Sequence, residues 1–449
     1  MFKNSQTHIF AALKTTLMAY NFVKELEWRG MIHDIMPDTE EMLQNELVSG
    51  YIGFDPTADS LHIGSMVQII LLMHLQRAGH RPIALVGGAT GMIGDPSGKS
   101  AERNLLTQDI LDKNIAGVKS VISRFIDFEG GDEATRAKLV NNYDWMKDFS
   151  LIDFARDIGK HITVNYMMAK ESVKKRVSGE GDGMSFTEFT YQLFQGYDYL
   201  HLYENEGCKL QIGGSDQWGN ITTGTELIRR KARGKAYAIT TPLVTKADGT
   251  KFGKTEGGNI WLDADKTSVY KFYQFWITAT DDDAMNWIKI FTFLDQETCN
   301  SLIEEHQKDP GYRVLQKRLA EEVTTMVHGK EAFETAVEAS KILFSKKVTP
   351  EQWGKMDQAT LLEIFEGVPQ VEIERSAISN GVEVVEFMNE TTGFLSSNGE
   401  VRRALKENSL SINKNKIDDS KVVSEEDVIA GNMILLQRGK KNYFLVILK

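Results

Sequence analysis

Cysteine is nearly absent: Cys208 and Cys299 are the only two in 449 residues. They lie far apart and make no C-x-x-C pair. That argues against a structural zinc site and a disulfide framework, and it fits a reducing compartment, the cytoplasm. Long apolar runs are missing too. The longest, "VQIILLMHL" (67–75), is interrupted by polar residues and is too short for a bilayer span. There is no excess of positive charge: the net charge of −11 argues against an indiscriminate nucleic-acid binder but leaves room for a local basic face. No internal repeat or low-complexity tract is visible. The opening "MFKNSQTHIFAALKTTLMA" has no acid, but also no arginine and no clear cleavage site. Residues 1–20 therefore read as an extension that folding does not need.

What is present is ordinary globular material, 41% apolar and 26% charged, long enough for two or three domains. "ELVSGYIGFD" (46–55) reads as a buried strand, "SMVQIILLMHLQRAG" (65–79) as a helix with a Gly stop, and "RPIALVGGATG" (81–91) as a second strand running into glycines. This β-loop-α-β order predicts an α/β fold with a Rossmann-type parallel sheet. Residues 101–180 look mostly helical and read as an insertion. "CKLQIGGSDQWGN" (208–220) and "AYAITTPLV" (236–244) supply further strands. The expected plan is a catalytic domain over 21–245 with its insertion at about 105–180. A signature loop and helical domain over 246–345, a linker over 346–390 and a small α+β tail over 391–449 complete it.

Four stretches could carry chemistry. His62 and Ser65 open a helix in "FDPTADSLHIGS", with Gly64 leaving the backbone open to close approach. The free N–H groups and positive dipole end of a helix N-terminus suit phosphate. A histidine there would donate a hydrogen bond and would need no neighbouring base. On its own the pattern also fits a capping residue. "GATGMIGDPSGKS" (88–100) falls one residue short of a P-loop, since Gly94 and Gly98 bracket three residues. Lys99 and Arg103 then read as mobile cations near a phosphate. "TKFGKT" (250–255) sets Lys251 and Lys254 three apart in a glycine-flanked loop able to close over a triphosphate; alone, it would pass for solvated loop. In "FTEFTYQLFQGYDYL" (186–200), Tyr191, Gln195 and Asp198 make one polar stripe amid Phe and Leu. That is either a pocket wall for a small polar ligand or a surface stripe.

Taken in order, "YIGFDPT", "PTADSLHIGS", "NNYDW", "VNYMMAKES", "TEFTYQLFQGYD", "QIGGSDQWGN" and "TPLVTKADGTKFGKT" resemble the blocks of the bacterial-type tyrosyl-tRNA synthetases, a class I aminoacyl-tRNA synthetase family, from about residue 20 to the end. The resemblance implies that Tyr51 and Asp198 bind the phenolic hydroxyl of L-tyrosine. Asp95, Tyr191 and Gln195 would hold its α-ammonium, and Gln217 would lie near its carboxylate. Gly53, Asp55, Gly64, Gly214 and Asp216 would line the ATP site, Asp216 near the ribose. Thr57 and His62 would meet the γ-phosphate in the transition state, and Lys99, Arg103, Lys251 and Lys254 would be mobile cations. Ser65 and Thr255 close the two signatures; Ser65 stands where a second histidine is usual. ATP, accompanied by Mg2+, would be a substrate, with no metal held by the protein itself. The partners implied are tRNA(Tyr) and a second copy of the chain, with no membrane. The tail from Leu395 carries ten Lys/Arg against seven Asp/Glu in an otherwise acidic chain. It resembles an S4-like RNA-binding domain, with Arg402, Arg403, Lys406, Lys414, Lys416, Arg438, Lys440 and Lys441 facing RNA. A tryptophanyl enzyme of the same fold is disfavoured by Tyr51, Asp198 and the basic tail.

Overall fold

Five parallel strands and one antiparallel edge strand build the central sheet of the computed structural model, which describes residues 20–97, 106–130, 132–177, 183–255, 258–344, 348–354, 356–439 and 442–449. The strands are β1 (Asp34–Ile35), β2 (Ser49–Phe54), β3 (Arg81–Val86), β4 (Lys138–Asn141), β5 (Cys208–Gly214) and β6 (Tyr237–Thr241). Their order is β1-β6-β5-β2-β3-β4, with β1 antiparallel to β6. β2 pairs on one side with β3, which follows it, and on the other with β5, which comes much later. That reversal of direction across the sheet is a switch point, and a crevice opens there at the carboxyl ends of the strands. Three helices flank it: α1 (Ile63–Arg77) after β2, α3 (Phe186–Glu206) before β5 and α4 (Trp218–Leu227) after β5, with α2 (Gln108–Ile122) following β3. In α1, Ile63, Met66, Ile69, Ile70, Leu71 and Leu72 are all fully buried, so this helix is covered on most of its circumference.

The insertion is not purely helical, because β4 lies within it and pairs with β3. Four half-buried residues at a sheet edge are too few to show a period-2 pattern in sequence. The two-residue β1 escapes for the same reason.

The chain forms two compact units, one running to Lys266 and including Ala279–Leu319, the other made of Thr267–Thr278 and Ala320–Lys449. The first also holds a short hairpin, β7 (Lys254–Thr255) with β8 (Gly258–Asn259). In the second, a five-stranded sheet has the order β12-β11-β14-β15-β9, from β9 (Gln370–Ile373), β11 (Leu410–Ile412), β12 (Asn415–Lys416), β14 (Met433–Arg438) and β15 (Asn442–Leu448). β10 (Val382–Glu383) and β13 (Val422–Val423) pair separately, and α5 (Asn398–Lys406) packs on the larger sheet's core.

This arrangement corrects the linker expected over 346–390. β9 comes from that stretch and pairs in parallel with β15. Alternation along β14 gives the physical reason. Ile434 and Leu436 join a core with Phe387 and Val401, while Met433 and Leu435 join a core with Ile342 and Leu361. Both faces of the strand are buried, so the tail from 391 onwards is not a free-standing module.

Arg29, only 2% exposed, fixes the N-terminal part of the first unit. Its guanidinium donates twice to Glu25 Oε1 (2.9 and 2.7 Å) and once each to the carbonyls of Lys289 (2.6 Å), Thr292 (2.7 Å) and Leu294 (2.8 Å). Removing one partner of a buried ion pair leaves the other groups desolvated and unpaired. Arg29→Met should therefore lower unfolding free energy by about 3–5 kcal/mol. Chemical denaturation checks this; a loss below about 1 kcal/mol would mean the pair behaves as an exposed one.

Candidate active site

A cavity of about 730 Å3 opens at the switch point between β2 and β5. Tyr51, Gly53, Asp55, His62, Gly64, Ser65, Asp95, Tyr191, Gln195, Asp198, Gly214, Asp216, Gln217 and Lys251 all line it. Residues separated by as much as 200 positions are thus brought together, because the carboxyl ends of β2 and β5 and the flanks of α1, α3 and α4 converge there.

The polar stripe is a pocket wall. A capping box, Ser185 with Glu188, starts α3, and Gly207 in the left-handed region (φ 62°) ends it. Tyr191 and Asp198 are buried on its cavity-facing side. The Tyr191 hydroxyl donates to Asp55 Oδ2 (3.1 Å). The Asp198 carboxylate accepts from Asn142 Nδ2 (3.0 Å) and Trp145 Nε1 (2.9 Å). Burial lifts the Asp198 carboxyl to about 7; those two hydrogen bonds pull the other way, and the charge of Asp55 adds to the rise. The Tyr51 hydroxyl is buried without a hydrogen-bond partner among the described residues. Burial first, then the nearby Asp198 charge, holds its ionisation well above the usual range.

A second set extends from the same stripe at Gln195. Gln217 Nε2 donates to Asp95 Oδ2 (2.6 Å), and Asn220 Nδ2 reaches Asp95 Oδ1 (3.3 Å) and Gln195 Oε1 (3.1 Å). Asp95, Gln195 and Gln217 are therefore held as one acceptor-rich cluster, suited to a cationic ammonium group. Burial raises the Asp216 carboxyl beside them.

His62 is the N-cap of α1, its Nδ1 accepting from the Gly64 N–H (3.0 Å). With Nδ1 an acceptor, a neutral ring carries its proton on Nε2 and is a donor there. The capping and donating readings therefore use different nitrogens. One expectation changes: the space left by Gly64 is taken by the His62 ring itself, since a Cβ there would meet Cε1 at 2.8 Å. The imidazole also packs edge-on against Trp261, with ring centres 6.1 Å apart. Ser65 gives its N–H to the His62 carbonyl (2.9 Å).

Not every expected residue joins the site. Thr57 is exposed and does not line the cavity. Lys99, Arg103, Lys440 and Lys441 lie outside the described residues, as do the side chains of Lys254 and Thr255. In the tail, Arg402, Arg403, Lys406 and Lys416 are exposed. Lys414, by contrast, is 4% exposed, with its ammonium donating to the Tyr443 hydroxyl (2.6 Å). Arg438 is paired with Glu400 (2.5 Å). Burial takes Lys414 out of the expected RNA-facing set, while Arg438, part-exposed, has its charge paired within the tail. No group of three or more His, Cys, Asp or Glu that could hold a metal ion occurs among the described residues.

The structure also adds residues. Asn142, fully buried, donates to Thr90 Oγ1 as well as to Asp198, and Thr90 in turn donates to Asp55 (3.2 Å), linking the two carboxylates. Gln211 faces Tyr51 in strand register, and its Oε1 is buried without a partner among the described residues. "NNYDW" holds Asn142 and Trp145, and "QIGGSDQWGN" begins at Gln211 and ends at Asn220; both blocks were legible, but neither says which carboxylate or hydroxyl these residues meet.

A switch-point crevice with a helix N-terminus, a cationic loop and a buried polar stripe is the arrangement expected of a class I tRNA synthetase. A family model described as "tRNA synthetases class I (W and Y)" matches residues 43–345, and another, "Tyrosine--tRNA ligase SYY-like C-terminal domain", matches residues 360–446. The Tyrosine--tRNA ligase of Flavobacterium johnsoniae is 65% identical over 428 residues, covering 95% of this chain and 99% of that protein. That of Bacteroides fragilis is 60% identical over 431 residues, covering 96% and 100%. Among solved structures, a C-terminally truncated mitochondrial tyrosyl-tRNA synthetase of Aspergillus nidulans superposes with a TM-score of 0.67 at 31% identity, over 76% of this chain and 100% of that one. The chain belongs to the tyrosine--tRNA ligase family.

Proposed function

We propose that the cavity activates L-tyrosine with ATP, taken as its magnesium salt, and that the enzyme then charges tRNA(Tyr). In the first step a tyrosine carboxylate oxygen bonds to the α-phosphorus, the bond to the bridging oxygen breaks, and pyrophosphate leaves. The carboxylate is already ionised at neutral pH, so no general base is required. What the protein supplies is alignment and stabilisation of charge on the phosphates. In the second step the tyrosyl group passes to the 3′-terminal adenosine, and AMP leaves.

The observation that carries this reading is the buried Tyr51 hydroxyl, without a hydrogen-bond partner among the described residues and lining the same cavity as the buried Asp198 carboxylate. A phenol that accepts from Tyr51 and donates to Asp198 satisfies both, and an apolar ring satisfies neither. In this reading Asp95, Gln195 and Tyr191 receive the ammonium and Gln217 the carboxylate region. Asp55, Gly53, Gly214 and Asp216 border the nucleotide. His62 and Ser65 serve the phosphates at the helix start, joined by Thr57, Lys99, Arg103, Lys251, Lys254 and Thr255 when the loops close. Amino-acid-dependent exchange of pyrophosphate into ATP, run with each of the twenty amino acids, tests it. Exchange supported by tyrosine alone is expected; exchange driven by tryptophan, or none at all, would overturn it.

The reading includes a homodimer, supported by exposed apolar side chains on the insertion and the adjoining start of α3: Leu151 (78%), Ile152 (76%), Val164 (62%) and Phe186 (76%). Two free buried cysteines fit a reducing cytoplasm, and no described helix is long and apolar enough to cross a membrane. For the S4-like tail, the exposed Arg402, Arg403, Lys406 and Lys416 are the cations available to a phosphate backbone. Deleting 391–449 would remove four of the five strands of the tail sheet, so substitution is the cleaner test. Arg402→Ala with Arg403→Ala and Lys406→Ala should spare pyrophosphate exchange and raise the KM for tRNA about tenfold or more, with a salt slope lower by about one per lost phosphate contact. Equal tRNA kinetics in variant and parent would remove the tail from the RNA interface.

A further inference from the structure

We propose that the helix Asp281–Phe291 is the post from which the cationic loop 245–252 hangs, and that Asp283 is a positioning residue for adenylate formation. The loop is almost wholly exposed and closes on itself. Thr245 and Lys251 form a bridge, Lys246 N–H donates to the Thr250 carbonyl (3.0 Å), and Asp248 accepts from the Thr250 hydroxyl (2.6 Å). Such a loop owes its place to its anchors. One is the Ala247 N–H, which donates to Asp283 Oδ1 (2.7 Å). The other is Phe252, buried against Phe291 (5.0 Å, near-parallel) and Trp287 (4.9 Å, edge-on).

Asp283, Trp287 and Phe291 recur every fourth residue, so they form one stripe of the helix. The loop is thus tied at both ends to a single rigid face, with Lys251 between the ties. Helix capping does not account for the carboxylate. Asp283 Oδ2 accepts from the capping Thr280 hydroxyl (2.8 Å), which leaves Oδ1 to the loop. Asp283 is 5% exposed, so that second bond forms away from water, where it holds position well.

The inference rests on the reading that Lys251 and Lys254 meet the phosphates, and the test separates the two. Single-turnover adenylate formation is measured at saturating tyrosine and ATP, and tyrosine Kd by equilibrium dialysis. Asp283→Ala should slow the chemical step by about ten- to a hundredfold, the scale of a small misplacement of a catalytic group. Tyrosine Kd should move less than about twofold, and Asp283→Asn, which keeps an acceptor oxygen, should recover most of the rate. In a Lys251→Ala, Lys254→Ala background, Asp283→Ala should change the rate by less than about twofold, because the cations it positions are gone. Should Asp283→Ala fail to fold, Phe252→Leu on the loop side of the same post is put through the same measurements with the same expected outcome. Slow lysine variants alongside a normal Asp283→Ala rate would overturn the inference alone, as would an undiminished Asp283 effect in the lysine-free background. Lysine variants with unchanged rates would overturn the reading of the loop and this inference with it.

Discussion

Replacing His62 with alanine is expected to slow tyrosyl-adenylate formation by about 10²–10³-fold while leaving tyrosine affinity within about twofold, the mark of a donor that acts on the transition state and not on the bound amino acid. The structure shows that the capping reading of the sequence holds alongside the proposed donor reading. His62 also caps α1 through Nδ1, so alanine removes a cap worth about 1 kcal/mol as well as the donor. His62→Asn resolves this, since asparagine is a good N-cap and loses only the Nε2 position. The asparagine variant should recover thermal stability but not full rate. If both substitutions weaken tyrosine binding as much as they slow the reaction, His62 contacts the ground state and its assigned role fails.

The second large effect concerns Asp198, where function and stability oppose one another. Asp198→Ala removes the acceptor proposed for the substrate phenol and leaves the Asn142 and Trp145 donors without this partner. A hydrogen bond to a charged group is worth about 1.5–3 kcal/mol, so kcat/KM for tyrosine should fall about tenfold to more than a hundredfold, and the preference over phenylalanine should shrink with it. The pH dependence has a definite sign. The folded-state carboxyl sits near 7, against an ordinary value of 3.8 that the unfolded chain retains. Between about pH 4 and 7 the folded protein therefore holds the proton more tightly, and stability declines as pH rises through that window. Asp198→Asn abolishes this titration, and its denaturation free energy should vary less across the same range. A parent and variant with parallel pH profiles would show that burial does not hold this carboxyl protonated.

These two residues also show how far the sequence reaches. Asp198 was legible because Tyr191, Gln195 and Asp198 recur at helical spacing amid apolar neighbours, a pattern that local geometry alone imposes. His62 was legible because a helix start has a local signature. Asn142 and Trp145 were legible as part of "NNYDW", but that they hold Asp198, more than fifty residues away, was not. Asn220, which ties Asp95 to Gln195, is an ordinary polar residue on α4 until three separate segments meet around it. In the tail, eight cations read alike in sequence. Lys414 is buried against Tyr443 and Arg438 is paired with Glu400, partners that lie 29 and 38 residues away.

The sequence by itself determined the elements with strong periodicity, the parallel order of the main strands, the helix start at His62 and the polar stripe of α3, because each depends on neighbours within a few turns of chain. Only the tertiary structure decided which donors hold each carboxylate, which cations stay in water, and that the stretch expected as a linker completes the tail's sheet. Those outcomes follow from burial and partner choice between distant segments, and no local run of residues encodes the solvent that a fold removes.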